Sequence, residues 1–271
     1  VDEQLIACER SDDAGPPFDL LVVVTKAFDA QSALHDVRHR LADSSTIVLM
    51  CNGALAVTEA LRRKSKAPLL VATTTHGAWA RSERDIHHAG RGKTWIGQLP
   101  VADQLPAADG ALAFFSGHGL GATMEEPAAT ERRLWLKLAA NAVLNPLTAL
   151  WDCQNAEVLR LAEGRETAHE VCAEIHAVCE QLSVTQAARE LSTDDLLAFV
   201  HECARANARN FSSMCMDVRH GRRTEIEQLN GWVARKGWEL GLPYRSWGRW
   251  VGRNESLAAA VRGRTPCDTR S

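Results

Sequence analysis

The chain has 271 residues, with 31 basic and 34 acidic side chains and a formal net charge of −3. This balance excludes the strong positive charge of a general nucleic-acid binder, and no apolar run approaches the roughly 20 residues that a membrane-spanning helix requires. A hydrophobic fraction of 45% predicts a globular protein of one or two domains that folds without metals or disulfides. We therefore expect no nucleic-acid and no membrane partner.

The eight cysteines are scattered along the chain, and no CxxC pair occurs. This usage predicts reduced thiols and a cytoplasmic location. His169, Cys172, His176 and Cys179 do recur at helical spacing. On one straight helix, however, Cys172 and Cys179 would lie about 10 Å apart along the axis, whereas zinc holds its ligands within about 2.0–2.3 Å. We therefore predict a half-buried helix face there and no metal site.

The first part of the chain alternates β-branched apolar runs with helix-like segments. The strand-sized runs are 20–25, 46–50 and 68–73, and the helix-like segments between them are about 29–41 and 56–63. Strand–helix–strand alternation predicts a parallel sheet with right-handed crossovers. Residues 86–88 and 94–96 flank a glycine-rich segment, which predicts a hairpin.

After residue 127 the pattern is helical, with amphipathic segments at 130–145, 167–182, 194–213 and 223–240. The predicted fold class is α/β followed by all-α, divided into a domain over 1–128 and a helical domain over 129–271. The glycines at 117, 119 and 121 are interpreted as an interdomain loop. A cleft between two such domains is a usual place for a small-molecule site.

A polar stripe interrupts the most apolar of these helices. Lys137, Asn141 and Asn145 follow one another at intervals of four residues, amid Leu, Ala and Val, so they share one helix face. This spacing leaves open a solvated face or polar groups aimed into a cleft. A lysine in a semi-apolar cleft is suited to proton donation, because burial lowers the pKa of an ammonium group.

The segment 137–155, KLAANAVLNPLTALWDCQN, closely resembles the signature helix of the ketopantoate reductase (2-dehydropantoate 2-reductase) family. Further segments agree in order and spacing: VTKAF at 24–28, LMCNG at 49–53, TTTH at 73–76, NFSSM at 210–214 and RRTEIEQLNG at 222–231. The resemblance covers about residues 18–255. It implies a Rossmann-type domain followed by a helical domain like the C-terminal one of 6-phosphogluconate dehydrogenase. It also implies NADPH-dependent reduction of 2-dehydropantoate to pantoate, on the route to pantothenate and coenzyme A.

The resemblance assigns a role to each matching position. Lys137 corresponds to the general acid, and Glu225 to a carboxylate near the nicotinamide ribose and the substrate, where it can pair with Lys137. The positions that correspond to substrate-binding residues are Asn141, Asn145, Asn155, Asn210 and Ser213. Those that correspond to cofactor contacts at the carboxyl ends of strands are Lys26, Asn52 and Ala78, with Glu225. Two alternatives stay open: Asn52 could serve only a turn, and Asn230 could be a helix C-cap.

The sequence departs from the family at its front, because no GxGxxG turn precedes Lys26 and the family's first strands and helices have no counterpart. The Rossmann-type domain is therefore expected to be N-terminally incomplete and to bind NADPH weakly or not at all. Two alternatives to the reductase remain: a catalytically inactive scaffold or regulatory protein that reuses the fold, and a related 2-oxo acid reductase. The sequence leaves open a monomer or a homodimer.

Overall fold

The computed structural model describes residues 12–62, 68–80, 82, 85–100 and 108–242. The chain forms two compact units. The first consists of the described residues up to Cys51 together with those from Val57 to Glu125. The second consists of Asn52–Ala56 together with those from Glu126 onward. The predicted order of an α/β part followed by a helical part is confirmed.

The first unit is built on a five-stranded sheet in the order β1-β2-β3-β6-β7. Its strands are β1 (Leu20–Val23), β2 (Thr46–Leu49), β3 (Leu69–Thr74), β6 (Thr94–Gly97) and β7 (Ala122–Glu125). Its helices are α1 (Ala30–Asp36), a short 3-10 helix (Arg38–Arg40), α2 (Ala54–Arg62), whose first residues belong to the second unit, and α3 (Ala108–Gly117). The strands β1, β2 and β3 pair in parallel, as predicted. Every residue of β2 is buried, as expected for a strand covered on both faces.

The predicted hairpin of residues 86–88 with 94–96 is wrong. Residues Ile86–Gly90 form β5, which pairs with β4 (Gly77–Ala80) in a separate two-stranded sheet. β6 instead pairs antiparallel with β3 and parallel with β7. The physical reason is burial: Ile96 of β6 is fully buried in the main sheet, whereas Ile86 of β5 is 63% exposed. Periodicity along one strand does not reveal which neighbour buries it.

The glycines between α3 and β7 also differ from the prediction. They connect two elements of the first unit and are not an interdomain loop. Gly119 and Gly121 have φ of 70° and 54°, a left-handed conformation that glycine adopts without the steric cost of a Cβ. The segment therefore allows the chain to change direction between α3 and β7.

The second unit is helical around the long helix α4. Its helices are α4 (Pro127–Trp151), α5 (Asn155–Val158), α6 (Ala162–Leu182), α7 (Gln186–Arg189), α8 (Thr193–Ala206), α9 (Ser213–Arg219) and α10 (Asn230–Glu239). α4 begins with proline at its first position, where a missing N–H costs nothing, and ends before Asp152 at φ 50°. Its apolar side chains form the core of the unit with those of α6, α8 and α9.

Two predicted helices are shorter in the structure. The segment 194–213 is divided, because α8 ends at Ala206 and the Ser212 side chain accepts a hydrogen bond from Cys215 N as the N-cap of α9. The segment 223–240 is helical only from Asn230, so the interpretation of Asn230 as a helix C-cap is wrong. A capping serine explains the division of the first segment. α10 starts after Leu229 without a side-chain cap, and hydrogen-bonded turns occupy the residues between Glu225 and Asn230.

The face of α6 with histidine and cysteine at helical spacing packs into the core. Cys172 and Cys179 are completely buried, and burial raises the pKa of each thiol to about 12. His176 uses its Nδ1 in a 2.8 Å hydrogen bond with the Leu191 carbonyl oxygen. Within the described ranges no three His, Cys, Asp or Glu side chains are grouped as a metal ion would require. None of the helices in this part of the chain combines the length and apolarity needed to cross a membrane.

Candidate active site

One face of α4 carries the predicted polar stripe. Lys137 and Asn141 are half-buried, and Asn145 is buried with 7% of its surface exposed. The neighbouring residues Leu138 and Val143 are buried in the core, which fixes the rotation of the helix about its axis. The stripe therefore stands on a rigid element instead of on a loop.

Asn52 joins this stripe to Glu225 through two hydrogen bonds. The Asn141 Nδ2 donates to Asn52 Oδ1 at 3.4 Å, and the Asn52 Nδ2 donates to Glu225 Oε2 at 3.2 Å. Because the carboxylate can only accept, it dictates which end of the Asn52 amide faces it. The other end then accepts from Asn141. Three of the predicted site residues are thus brought together within the second unit, with a defined direction of donation.

The Asn52–Gly53 segment is a tight turn, as one of the two interpretations predicted, and the role of Asn52 as a cofactor contact stays a prediction. Gly53 has φ of 63°, and a Cβ at this position would lie 3.0 Å from the Gln228 carbonyl oxygen. Close approach of this turn to the segment after Glu225 is what allows the Asn52 amide to reach the carboxylate. Glycine is required here for its conformation and for its small size.

A second polar group forms where α5 meets the loop before α9. The Asn155 backbone N–H donates to the Asn210 carbonyl oxygen at 2.9 Å, and the Asn155 side chain donates to Asn207 O at 3.2 Å. The Asn155 Oδ1 is buried without a hydrogen-bond partner. Asn210 is exposed, and its amide nitrogen donates to Asn207 Oδ1 at 3.4 Å. Asn155 and Asn210, which were predicted separately as substrate-binding positions, are therefore neighbours in the structure, and Asn207, which the sequence did not indicate, links them.

Ser213 is the exposed first residue of α9, and its neighbour Ser212 anchors that helix to α4. The Thr148 hydroxyl lies 2.6 Å from the Ser212 hydroxyl, and the Ser212 hydroxyl lies 3.5 Å from the Asn145 carbonyl oxygen. Ser213 is thereby held next to a fixed contact with the polar stripe. The serine pair was visible in the sequence, but only the structure shows which hydroxyl is structural.

Two electrostatic effects involve residues next to these groups. Burial and the negative charge of Glu202 raise the pKa of the Cys203 thiol on α8 to about 11, against the opposing positive charge of Lys137. The hydrogen bond from Arg219 lowers the pKa of Asp152, which follows α4.

The remaining predicted positions belong to the first unit. Lys26 is half-buried and follows β1, whose parallel pairing with β2 places the carboxyl ends of these strands at one edge of the sheet. The hydroxyl oxygens of Thr25 and Thr73, near the ends of β1 and β3, are buried without hydrogen-bond partners. Ala78 is exposed within β4 of the small sheet and does not end a strand of the main sheet.

The chemistry of these groups suits a small anion with hydroxyl groups. Among the predicted site residues, the second unit offers an ammonium, several carboxamides, a serine hydroxyl and the buried carboxylate of Glu225. The amides can both donate and accept, and the ammonium can donate a proton. These groups are sufficient to bind such a ligand and to protonate it.

Two family models match the chain: "Ketopantoate reductase PanE/ApbA" over residues 3–101 and "Ketopantoate reductase PanE/ApbA C terminal" over residues 129–263. The chain is 33% identical over 226 residues to 2-dehydropantoate 2-reductase of Vibrio cholerae. That alignment covers 83% of this chain and 72% of the relative.

Solved structures agree with this match. A ketopantoate reductase of Ralstonia eutropha superposes with a TM-score of 0.69 at 26% identity, covering 90% of this chain and 74% of that one. D-mandelate dehydrogenase with NADH and anilino(oxo)acetate superposes with a TM-score of 0.79 at 18% identity, covering 93% and 80% of the two chains. The latter likeness concerns the fold alone.

Proposed function

The chain belongs to the ketopantoate reductase family, and from this premise we propose that it catalyses the NADPH-dependent reduction of 2-dehydropantoate to pantoate in the cytoplasm. The observation that carries the proposal is the hydrogen-bonded series Asn141–Asn52–Glu225 beside the helix that bears Lys137. A scaffold has no physical need for a polar series of this kind on a mostly apolar helix. Its defined direction of donation suits a site that orients one ligand.

Reduction of the ketone requires a proton at the C2 oxygen, and Lys137 is the donor in this proposal. NADPH, when bound, supplies the hydride to C2. The ketone oxygen then gains negative charge, which the Lys137 ammonium stabilises by hydrogen bonding before it transfers its proton. In the proposed mechanism Glu225 lies near Lys137, and its negative charge stabilises the protonated form of the lysine.

The amide groups bind and orient the keto acid. Asn141 and Asn145 extend from successive turns of α4, so they can hold the C2 oxygen region and a hydroxyl group from one side. Asn155, Asn210 and Ser213 supply donors for the carboxylate.

The carboxyl edge of the main sheet fits a nicotinamide cofactor. Ligands of such sheets bind at this edge, where the Thr25 and Thr73 hydroxyls are unpartnered. Lys26 would supply a positive charge there for phosphate or ribose oxygens. Asn52, Ala78 and Glu225 are proposed as further cofactor contacts.

The test is oxidation of NADPH by the purified chain, followed at 340 nm, with and without 2-dehydropantoate. Because the sequence predicts weak NADPH binding, the assay is run at high NADPH concentration. We expect slow oxidation that depends on the keto acid and is slower still with NADH. Pyruvate and phenylglyoxylate serve as alternative substrates. A preference for either would identify a different 2-oxo acid reductase, and no turnover with any of them would contradict the proposed activity.

A further inference from the structure

A proline interrupts the backbone hydrogen bonding of α4 between Asn145 and the end of the helix. Pro146 directly follows Asn145 inside α4. Proline has no N–H, so it cannot donate to the carbonyl oxygen four residues earlier. That oxygen belongs to Ala142, which is buried, and a buried carbonyl without a partner is costly. The helix therefore has one acceptor to satisfy, immediately after Asn141.

The missing donor is supplied from another helix. The Asn230 Nδ2 donates to the Ala142 carbonyl oxygen at 2.9 Å. Asn230 is the first residue of α10 and is buried, with 7% of its surface exposed. Its Oδ1 is buried without a partner, so the residue carries an energetic cost that an apolar side chain would avoid. The donor end of the amide compensates for it by replacing the N–H that Pro146 lacks.

Backbone hydrogen bonds fix the position of Asn230 relative to Glu225. The Glu225 carbonyl oxygen accepts from both Gln228 N and Leu229 N, each at 3.1 Å, and Gly231 N donates to Ile226 O at 3.0 Å. These bonds form a compact turn between the carboxylate residue and the start of α10. A displacement of Asn230 relative to α4 would therefore displace Glu225 as well.

We propose that Asn230 is a positioning residue: by completing the helix at Ala142, it sets the Glu225 turn against the α4 segment that carries Asn141 and Asn145. The inference rests on the proposed reductase activity for its catalytic consequence. The role of Asn230 as substitute donor for Pro146 stands on the hydrogen bonding alone. Asn230 does not contact the reacting atoms in this account and acts through Glu225 and Asn141.

The test combines Asn230→Ala and Pro146→Ala in one cycle. Alanine at 146 restores the backbone N–H that can reach Ala142 O, which makes the Asn230 amide redundant. We expect Asn230→Ala alone to lower kcat with 2-dehydropantoate by about 10- to 100-fold, the range for a displacement of about 1 Å. The KM for NADPH should rise as well, because Glu225 is also a proposed cofactor contact. The double variant should recover to within about threefold of Pro146→Ala.

Thr185→Val is the matched control. It removes a 2.6 Å hydrogen bond from Thr185 Oγ1 to Glu131 Oε2 in the same unit, ten residues along α4 from Asn141. Its thermal midpoint should fall while kcat is retained. If Asn230→Ala lowers kcat no more than this control does, the positioning role is overturned.

Thermal midpoints of the four cycle proteins separate this inference from the proposed activity. Pro146→Ala should reduce the loss caused by Asn230→Ala, and this holds even if the wild-type chain does not reduce 2-dehydropantoate. Additive thermal losses would overturn the donor substitution. If Asn230→Ala does not fold, the double variant is compared with Pro146→Ala. Where Pro146→Ala itself is active, a folded but inactive double variant would overturn the inference too.

Discussion

Replacing Asn52 by leucine removes, at nearly constant volume, the amide that links Asn141 to Glu225. The two hydrogen bonds of this amide differ in kind. The donor bond, at 3.2 Å, has a carboxylate as its acceptor, whereas the acceptor bond, at 3.4 Å, joins two neutral amides. The same substitution therefore probes a strong and a weak interaction of one side chain.

The expected magnitudes follow from these differences. A hydrogen bond to a charged group contributes about 1.5–3 kcal/mol and a neutral one about 0.5–1.5 kcal/mol. Asn52 is only half-buried and the neutral bond is long, so we expect the lower end of each range. The coupling free energy should be about 1.5 kcal/mol between Asn52 and Glu225 and about 0.5 kcal/mol between Asn52 and Asn141.

Double-mutant cycles in urea measure both couplings. The variants are Asn52→Leu, Glu225→Met and Asn141→Leu, alone and in pairs with the first. Trp79 and Trp95 of the first unit are replaced by phenylalanine in every protein, so that tryptophan fluorescence reports the second unit. Trp135 and Trp232 pack in the core of that unit with ring centroids 5.7 Å apart. A larger coupling to Asn141 than to Glu225, or none to Glu225, would refute the assigned direction of the amide and the ranking of its two bonds.

Four further predictions concern the site and its support. Lys137→Ala should lower turnover of 2-dehydropantoate at least about 100-fold, the scale of general-acid catalysis; a variant with near-normal turnover would remove Lys137 from the mechanism. Ser213→Ala and Asn210→Ala should mainly raise the KM for the keto acid, because uncharged binding groups contribute equally to ground and transition states; steady-state kinetics would reassign both residues if only NADPH affinity fell. Glu131→Ala should reduce the free energy of unfolding by about 3–5 kcal/mol, since the buried carboxylate accepts from two backbone N–H groups and one hydroxyl; a loss below 1 kcal/mol in urea titration, roughly one neutral bond, would contradict this. Cys172, with a thiol pKa of about 12, should resist iodoacetamide at pH 8 in the native protein and react after unfolding, because burial suppresses the thiolate that attacks; mass spectrometry showing rapid native modification would contradict its burial.

The sequence by itself determined the elements whose signals are local. The strands β1 to β3 are continuous apolar runs, of which β2 is buried throughout and β1 only partly. The helix predicted at 130–145 lies inside α4, which extends further at both ends. Lys137, Asn141 and Asn145 share a helix face for the same reason, since their spacing fixes their relative direction whatever packs around them. The family motifs assigned a role to each matching position, but they did not show which residues it contacts.

The tertiary structure decided which distant groups meet. Asn52 and Glu225 are 173 residues apart in the chain, and Asn230 supplies the donor that Pro146 lacks from 88 residues away from Ala142. Periodicity carries no information about such pairs, because a side-chain hydrogen bond depends on how whole elements pack. The same limit explains β6, whose alternating pattern fits either a hairpin with β5 or a place beside β3. Burial of Ile96 decided between them, and burial is a property of the folded chain.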